Sequence, residues 1–175
     1  MNLVNILIIV GAVIFILALW IIVGVRHLKY LRLSAENQWD TVDAKIRKRH
    51  DLIPLFVEFF KTHISGQDVL IEGLIAERSI ASKEYAPSAN KMVYEHDISA
   101  TLGKIFNIAK TNPESFKDTV FLEVKSQMVD VFDGARSDLK KYNETIRTYN
   151  AHRDFVILKP ISRIFGYGVL NIFDI

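Results

Sequence analysis

Residues 45–60 read KIRKRHDLIPLFVEFF, a basic cluster that runs through His50 and Asp51 into an apolar stretch interrupted by Pro54. The treatment of that proline decides whether one helix or two pass through it. Pro54 has no N–H to offer the carbonyl of His50, and its ring crowds that carbonyl, so the helix must restart or bend there. A restart would make Ile53 the N-cap, and isoleucine is among the poorest caps. One continuous helix, kinked at Pro54, is the reading that follows.

The stripe on either side agrees. Leu28, Leu31, Ala35, Trp39, Val42, Ile46, Ile53, Val57, Phe60 and Ile64 recur at steps of three and four, with the gap falling at His50. Upstream the stripe merges into LVNILIIVGAVIFILALWIIVGV, residues 3–25, which carries no charged side chain. At about 1.5 Å per residue this run reaches roughly 34 Å, a little more than a hydrocarbon core. Its length, the bare Met1 and Asn2 before it and the lack of an A-x-A-like site argue for an uncleaved anchor over a signal peptide. Arg26, His27, Lys29 and Arg32 crowd its exit, so the positive-inside rule predicts an outer N-terminus and a cytoplasmic remainder, at an inner (plasma) membrane.

The remaining segments predict helices as well. HISGQD around Gly66 forms a turn, and a second helix with Val69, Leu70, Leu74 and Ile80 is expected to end near Pro87. A third runs from about Ala89 to Lys110 with Met92, Ile98, Leu102, Ile105, Phe106 and Ala109 inside, stopped by Asn112 and Pro113. The fourth has the most regular stripe: Phe121, Val124, Met128, Val131, Ala135, Leu139, Tyr142, Ile146 and Tyr149. Alone it would suit a coiled coil. With three amphipathic companions it predicts an all-α fold, a transmembrane helix continuing into an elongated antiparallel four-helix bundle. The expected divisions are an anchor over 1–25, a bundle over 26–154 and an apolar tail over 155–175.

The first helix beyond the membrane and the fourth each run roughly 38 residues, about 57 Å, so the second of these should bring the chain back to the bilayer. The tail that arrives, FVILKPISRIFGYGVLNIFDI, holds only Lys159, Arg163 and Asp174 as charges, while Pro160, Gly166 and Gly168 argue against a second span. Two readings stand open: packing on the bundle or on another subunit, or lying on the inner leaflet with Lys159 and Arg163 toward lipid phosphates, alongside Arg26, Lys29 and Arg32.

ENQWDTVDAKIRKRHDLIPLFVE, with Asn37, Trp39, Asp43, Lys48, Arg49, Asp51, Leu52, Ile53, Pro54 and Val57, resembles the signature of the LemA family. ARSDLKKYNETIRTYN matches a second motif at Ala135, Arg136, Tyr142, Asn143, Tyr149 and Asn150. The chain departs from the family pattern at Leu55, where Asn is usual, and at Val156, where a Phe-Pro step is usual. The resemblance implies a bacterial membrane protein with an extracytoplasmic N-terminus, a cytoplasmic four-helix bundle and no established catalytic activity.

The residues themselves suggest a structural polar network of Arg49, His50, Asp51, Pro54, Tyr142, Asn143, Tyr149 and Asn150. In it an Asn amide or Tyr hydroxyl from the last helix would satisfy the carbonyl that Pro54 orphans. Such a network is expected to fix register; a ligand pocket at the kink is the other reading.

No catalytic residue, metal site or cofactor is expected: the five histidines show no metal-binding spacing, cysteine is absent, and there is no Gly-rich phosphate loop. A net charge of +2 with both signs interspersed gives no reason to expect nucleic acid. The expected function is a non-enzymatic scaffold whose partners are the lipid bilayer and other membrane proteins or further copies of itself. The alternative is a membrane-organising protein that binds lipid or senses curvature through its tail.

Overall fold

A computed structural model describes residues 2–112 and 117–175. The chain forms α1 (Leu3–His63), α2 (Asp68–Ala81), α3 (Ala89–Thr111), α4 (Thr119–Arg153) and α5 (Leu158–Ile164), and no strand is found among the described residues. α1 is unbroken through Pro54, which sits on the exposed side of the helix. Its most apolar 18-residue stretch has a mean hydropathy of 3.4, and none of it is buried. It is long and apolar enough to cross a membrane.

Local chemistry sets the helix ends. Gly66, at φ 82°, takes the left-handed conformation that follows α1 and that a side chain would resist. Ser88 caps α3 by accepting from the Lys91 amide at 3.0 Å. Asp118 opens α4, accepting from the Val120 amide at 2.7 Å. α2 ends at Ala81, six residues ahead of the proline expected to break it. There the Ser82 hydroxyl donates to the Ser79 carbonyl at 3.1 Å, the local side-chain bond that competes with a continuing helix. Asn112 is the C-cap of α3, and Pro113 lies outside the described residues.

The chain divides into two compact units. The first comprises residues 1–37 and 143–172, and the second residues 38–142 and 173–175.

In the second unit four helical segments share one core. Ile53, Phe56 and Phe60 of α1, Ile71 and Leu74 of α2, Ile98, Leu102 and Ile105 of α3, and Phe121, Val124 and Met128 of α4 are all buried in it. Register follows from the paired contacts. Asp43 meets Lys91 and Arg49 meets Glu95, so α3 runs parallel to this part of α1. Lys45 meets Asp138 while Phe56 stacks on Phe121, so α4 runs antiparallel to it. Arg78 of α2 reaches the His50 carbonyl of α1 at 2.6 Å.

In the first unit Leu28, Leu31 and Tyr149 are buried together, with Tyr167 and Leu170 against them. Here α1 and the end of α4 are joined by α5 and the chain beyond it.

Candidate functional site

The stripe of α3 explains why charges lie inside the second unit. Ile98, Leu102, Ile105 and Ala109 are buried at alternating steps of four and three, and the same rhythm carried backward lands on Glu95 and Lys91. Both are almost wholly enclosed, Glu95 at 0% exposure and Lys91 at 2%. Buried charges must be paired and hydrogen-bonded, and α1 supplies the partners.

Glu95 Oε2 accepts from Arg49 Nη2 at 2.5 Å. His50 Nε2 lies 3.2 Å from the same oxygen and 3.0 Å from Oε1, the latter contact without hydrogen-bond alignment. Arg49 also donates to the Ser99 hydroxyl at 2.9 Å, and its guanidinium lies 4.8 Å from the centre of the Phe132 ring. Burial alone would push the Glu95 carboxyl up, but the hydrogen bond and charge of His50 and the charge of Arg49 outweigh it and hold the group below its ordinary value. Burial also lowers the Arg49 guanidinium, with the Glu95 charge opposing.

One helical turn from the loop before α3, Lys91 Nζ donates to Asp43 Oδ1 at 2.7 Å and to the Glu84 carbonyl at 2.5 Å. Arg47 grips the other Asp43 oxygen, donating from Nε at 2.7 Å, and its guanidinium covers the Tyr85 ring. Trp39 sits alongside. Its indole Nε1 donates to the Tyr85 carbonyl at 2.9 Å, and its ring packs on Tyr142 and, edge-on at 4.8 Å, on Phe173. One tryptophan therefore joins the α2–α3 loop, α4 and the last residues of the chain.

The carbonyl of His50 has a partner other than the one expected. Arg78 Nε of α2 donates to it at 2.6 Å. The donor found there is a charged arginine of α2. Of the expected network, Arg49 and His50 are buried and share Glu95, whereas Asp51 and Pro54 are exposed. Tyr142 is buried as a ring against Trp39.

Tyr149 and Asn150 serve the first unit instead. The Tyr149 hydroxyl donates to the Gly168 carbonyl at 3.0 Å. Asn150 makes a two-way bond with Leu170, Nδ2 donating to its carbonyl at 2.7 Å and Oδ1 accepting its amide at 3.1 Å. Arg153 Nε adds a third fastening, donating to the Tyr167 carbonyl at 2.8 Å. Asn143, one heptad before Asn150, is half-buried. Tyr149 and Asn150, the end of the second family-like motif, thus bind the backbone of a segment without regular structure, satisfying groups that no strand or helix pairs.

The same unit brings the end of α4 beside the end of the apolar run. Phe155 lies 5.4 Å from Trp20, His152 lies edge-on to His27 at 4.8 Å, and fully buried Leu158 rests on Gly24. His152 is lowered by burial and by the His27 charge, against the opposing bond to the Gly24 backbone. Of the residues expected at a membrane surface, Arg26, Lys29, Lys159 and Arg163 are exposed, and Arg32 pairs with Glu36 at 3.1 Å.

Sequence reasoning missed Lys91, Glu95 and Arg78. The backward projection of the α3 stripe would have found the first two; nothing in the local pattern marks Arg78. Among the described residues no group of three or more His, Cys, Asp or Glu is placed to hold a metal. A mainly apolar cleft of about 280 Å3 opens beside Arg49, between Leu102, Phe106, Met128 and Phe132.

No curated protein matches the chain. The family model described as LemA family matches residues 38–175, which takes in the second unit, the α4 motif and the whole chain beyond α4. The chain belongs to the LemA family.

Proposed function

We propose that the protein is a non-enzymatic, single-pass membrane protein that presents its helical unit as a scaffold for other membrane proteins or for copies of itself. Its N-terminus would lie outside and the helical unit in the cytoplasm, at the inner membrane, as the basic residues at the exit of the apolar run favour. The observation that carries this reading is the continuity of α1. One unbroken helix contributes both an unburied, membrane-length apolar run and the buried stripe of a packed four-segment core. The ionisable groups inside that core support it, because Asp43, Lys91, Arg49 and Glu95 are spent on one another in holding helix register.

Native mass spectrometry and in-membrane crosslinking of the full chain test the proposal. Assemblies larger than one chain, homomeric or mixed, are expected. Only isolated monomers, in membranes as well as in detergent, would contradict it.

A further inference from the structure

Beyond α4 the chain of the first unit meets α1 at Trp20 and Gly24 and leaves large apolar side chains exposed. Val156 is 82% exposed, Ile164 81%, Phe165 65% and Phe155 52%, at the two ends of residues 155–165. Large apolar side chains gathered on a surface in this way mark a site of contact. The segment that bears them is fastened at both ends: Leu158 is seated on Gly24 at its start, and Arg153 holds the Tyr167 carbonyl at its finish. Gly24 stands one residue before the end of the uncharged run of α1, and Arg26 and Lys29 follow directly. Trp20, packed on Phe155, is of the residue type that collects at headgroup level.

We infer that residues 155–165 form an interfacial foot that binds anionic lipid, a second membrane contact beside the helix that crosses it. Phe155, Val156, Ile164 and Phe165 enter the boundary between headgroups and acyl chains. Lys159 and Arg163, exposed on the α5 that lies between them, meet lipid phosphates together with Arg26 and Lys29. The occupant follows from continuity: the exposed patch adjoins the end of an equally exposed apolar helix of membrane length. The inference rests on the reading of α1 as a membrane anchor.

Because the chain has no cysteine, single nitroxide labels report local environment directly. Labels at Val156→Cys, Phe165→Cys, Ile14→Cys and Lys83→Cys are compared in full-length protein in vesicles of phosphatidylcholine, alone or mixed with phosphatidylglycerol. Accessibility to oxygen, which concentrates in lipid, is set against accessibility to a water-soluble nickel complex. Labels 156 and 165 should resemble label 14 in favouring oxygen, and oppose label 83. Phosphatidylglycerol should raise that preference, and Lys159→Gln with Arg163→Gln should abolish the increase. If label 14 favours oxygen while labels 156 and 165 favour nickel, the foot is overturned and the anchor stands. If 156 and 165 are shielded from both reagents, a protein surface covers them and the inference is again overturned. If label 14 itself favours nickel, the anchor reading fails first.

Discussion

Leu158 rests so closely on Gly24 that a Cβ built there would lie 2.8 Å from its Cδ2 and 2.9 Å from its Cδ1. Glycine is needed at this position for a close approach of side chain to backbone. Gly24→Ala should therefore loosen the seat, at a cost on the order of 1–3 kcal/mol for overpacking. The expected result is faster amide hydrogen exchange across residues 155–165. Adding Leu158→Ala should restore part of the protection, since it returns the space the new methyl needs.

Glu95 stands between Arg49 and His50 with no exposure of its own. Glu95→Leu would leave the Arg49 charge buried without its counterion and should cost about 3–5 kcal/mol, read as a large fall in Tm. The double variant Arg49→Met with Glu95→Leu should be much milder than Glu95→Leu alone. With Arg49→Met measured alone to close the cycle, a double-variant loss equal to the sum of the two single losses would mean that the pair is not energetically coupled.

At the proline, Arg78→Met should cost about 1.5–3 kcal/mol through loss of a charge-assisted bond to the His50 carbonyl. Pro54→Ala gives that carbonyl a backbone N–H from within α1. The loss from Arg78→Met should therefore shrink in the Pro54→Ala background. A denaturant-unfolding cycle measures the coupling, and strict additivity would show that Arg78 serves no compensating role.

Two groups predict separate pH effects. The Glu95 carboxyl is held below its ordinary value of 4.5, so its stabilising contribution is complete above that pH and fades as pH falls through the lower folded-state value. The His152 imidazole is lowered from 6.5, so the folded first unit resists its protonation. Its stabilising contribution is full above pH 6.5 and is lost as pH falls through the lowered value. Hydrogen exchange followed from neutral to acid should show residues 155–170 loosening first and the core around Glu95 later. His152→Gln should remove the first step and leave the second.

The helices were legible because their stripes are long. α1 and α4 bury almost every apolar position their periodicity marks, from Leu28 to Phe60 and from Phe121 to Tyr149. Lys91 and Glu95 escaped notice because a charged residue reads by default as solvated, and only the tertiary partners Asp43 and Arg49 make burial tolerable. The two parts of the tail were not separable for a similar reason. Phe173 and Ile175 are buried within the second unit, while Val156, Ile164 and Phe165 are exposed in the first, and composition alone cannot separate the two groups. The roles of Tyr149 and Asn150 depend on where an irregular segment runs, which periodicity does not encode.

The return of the chain to the end of the apolar run is tested most directly by paired cysteines in full-length protein in membranes. His27→Cys with His152→Cys replaces two rings whose centres lie 4.8 Å apart. A short thiol crosslinker should bridge them within one chain about as readily as Lys45→Cys with Asp138→Cys, a pair joined by a 2.5 Å ion pair. Efficient bridging of 45 to 138 with none of 27 to 152 would contradict the return.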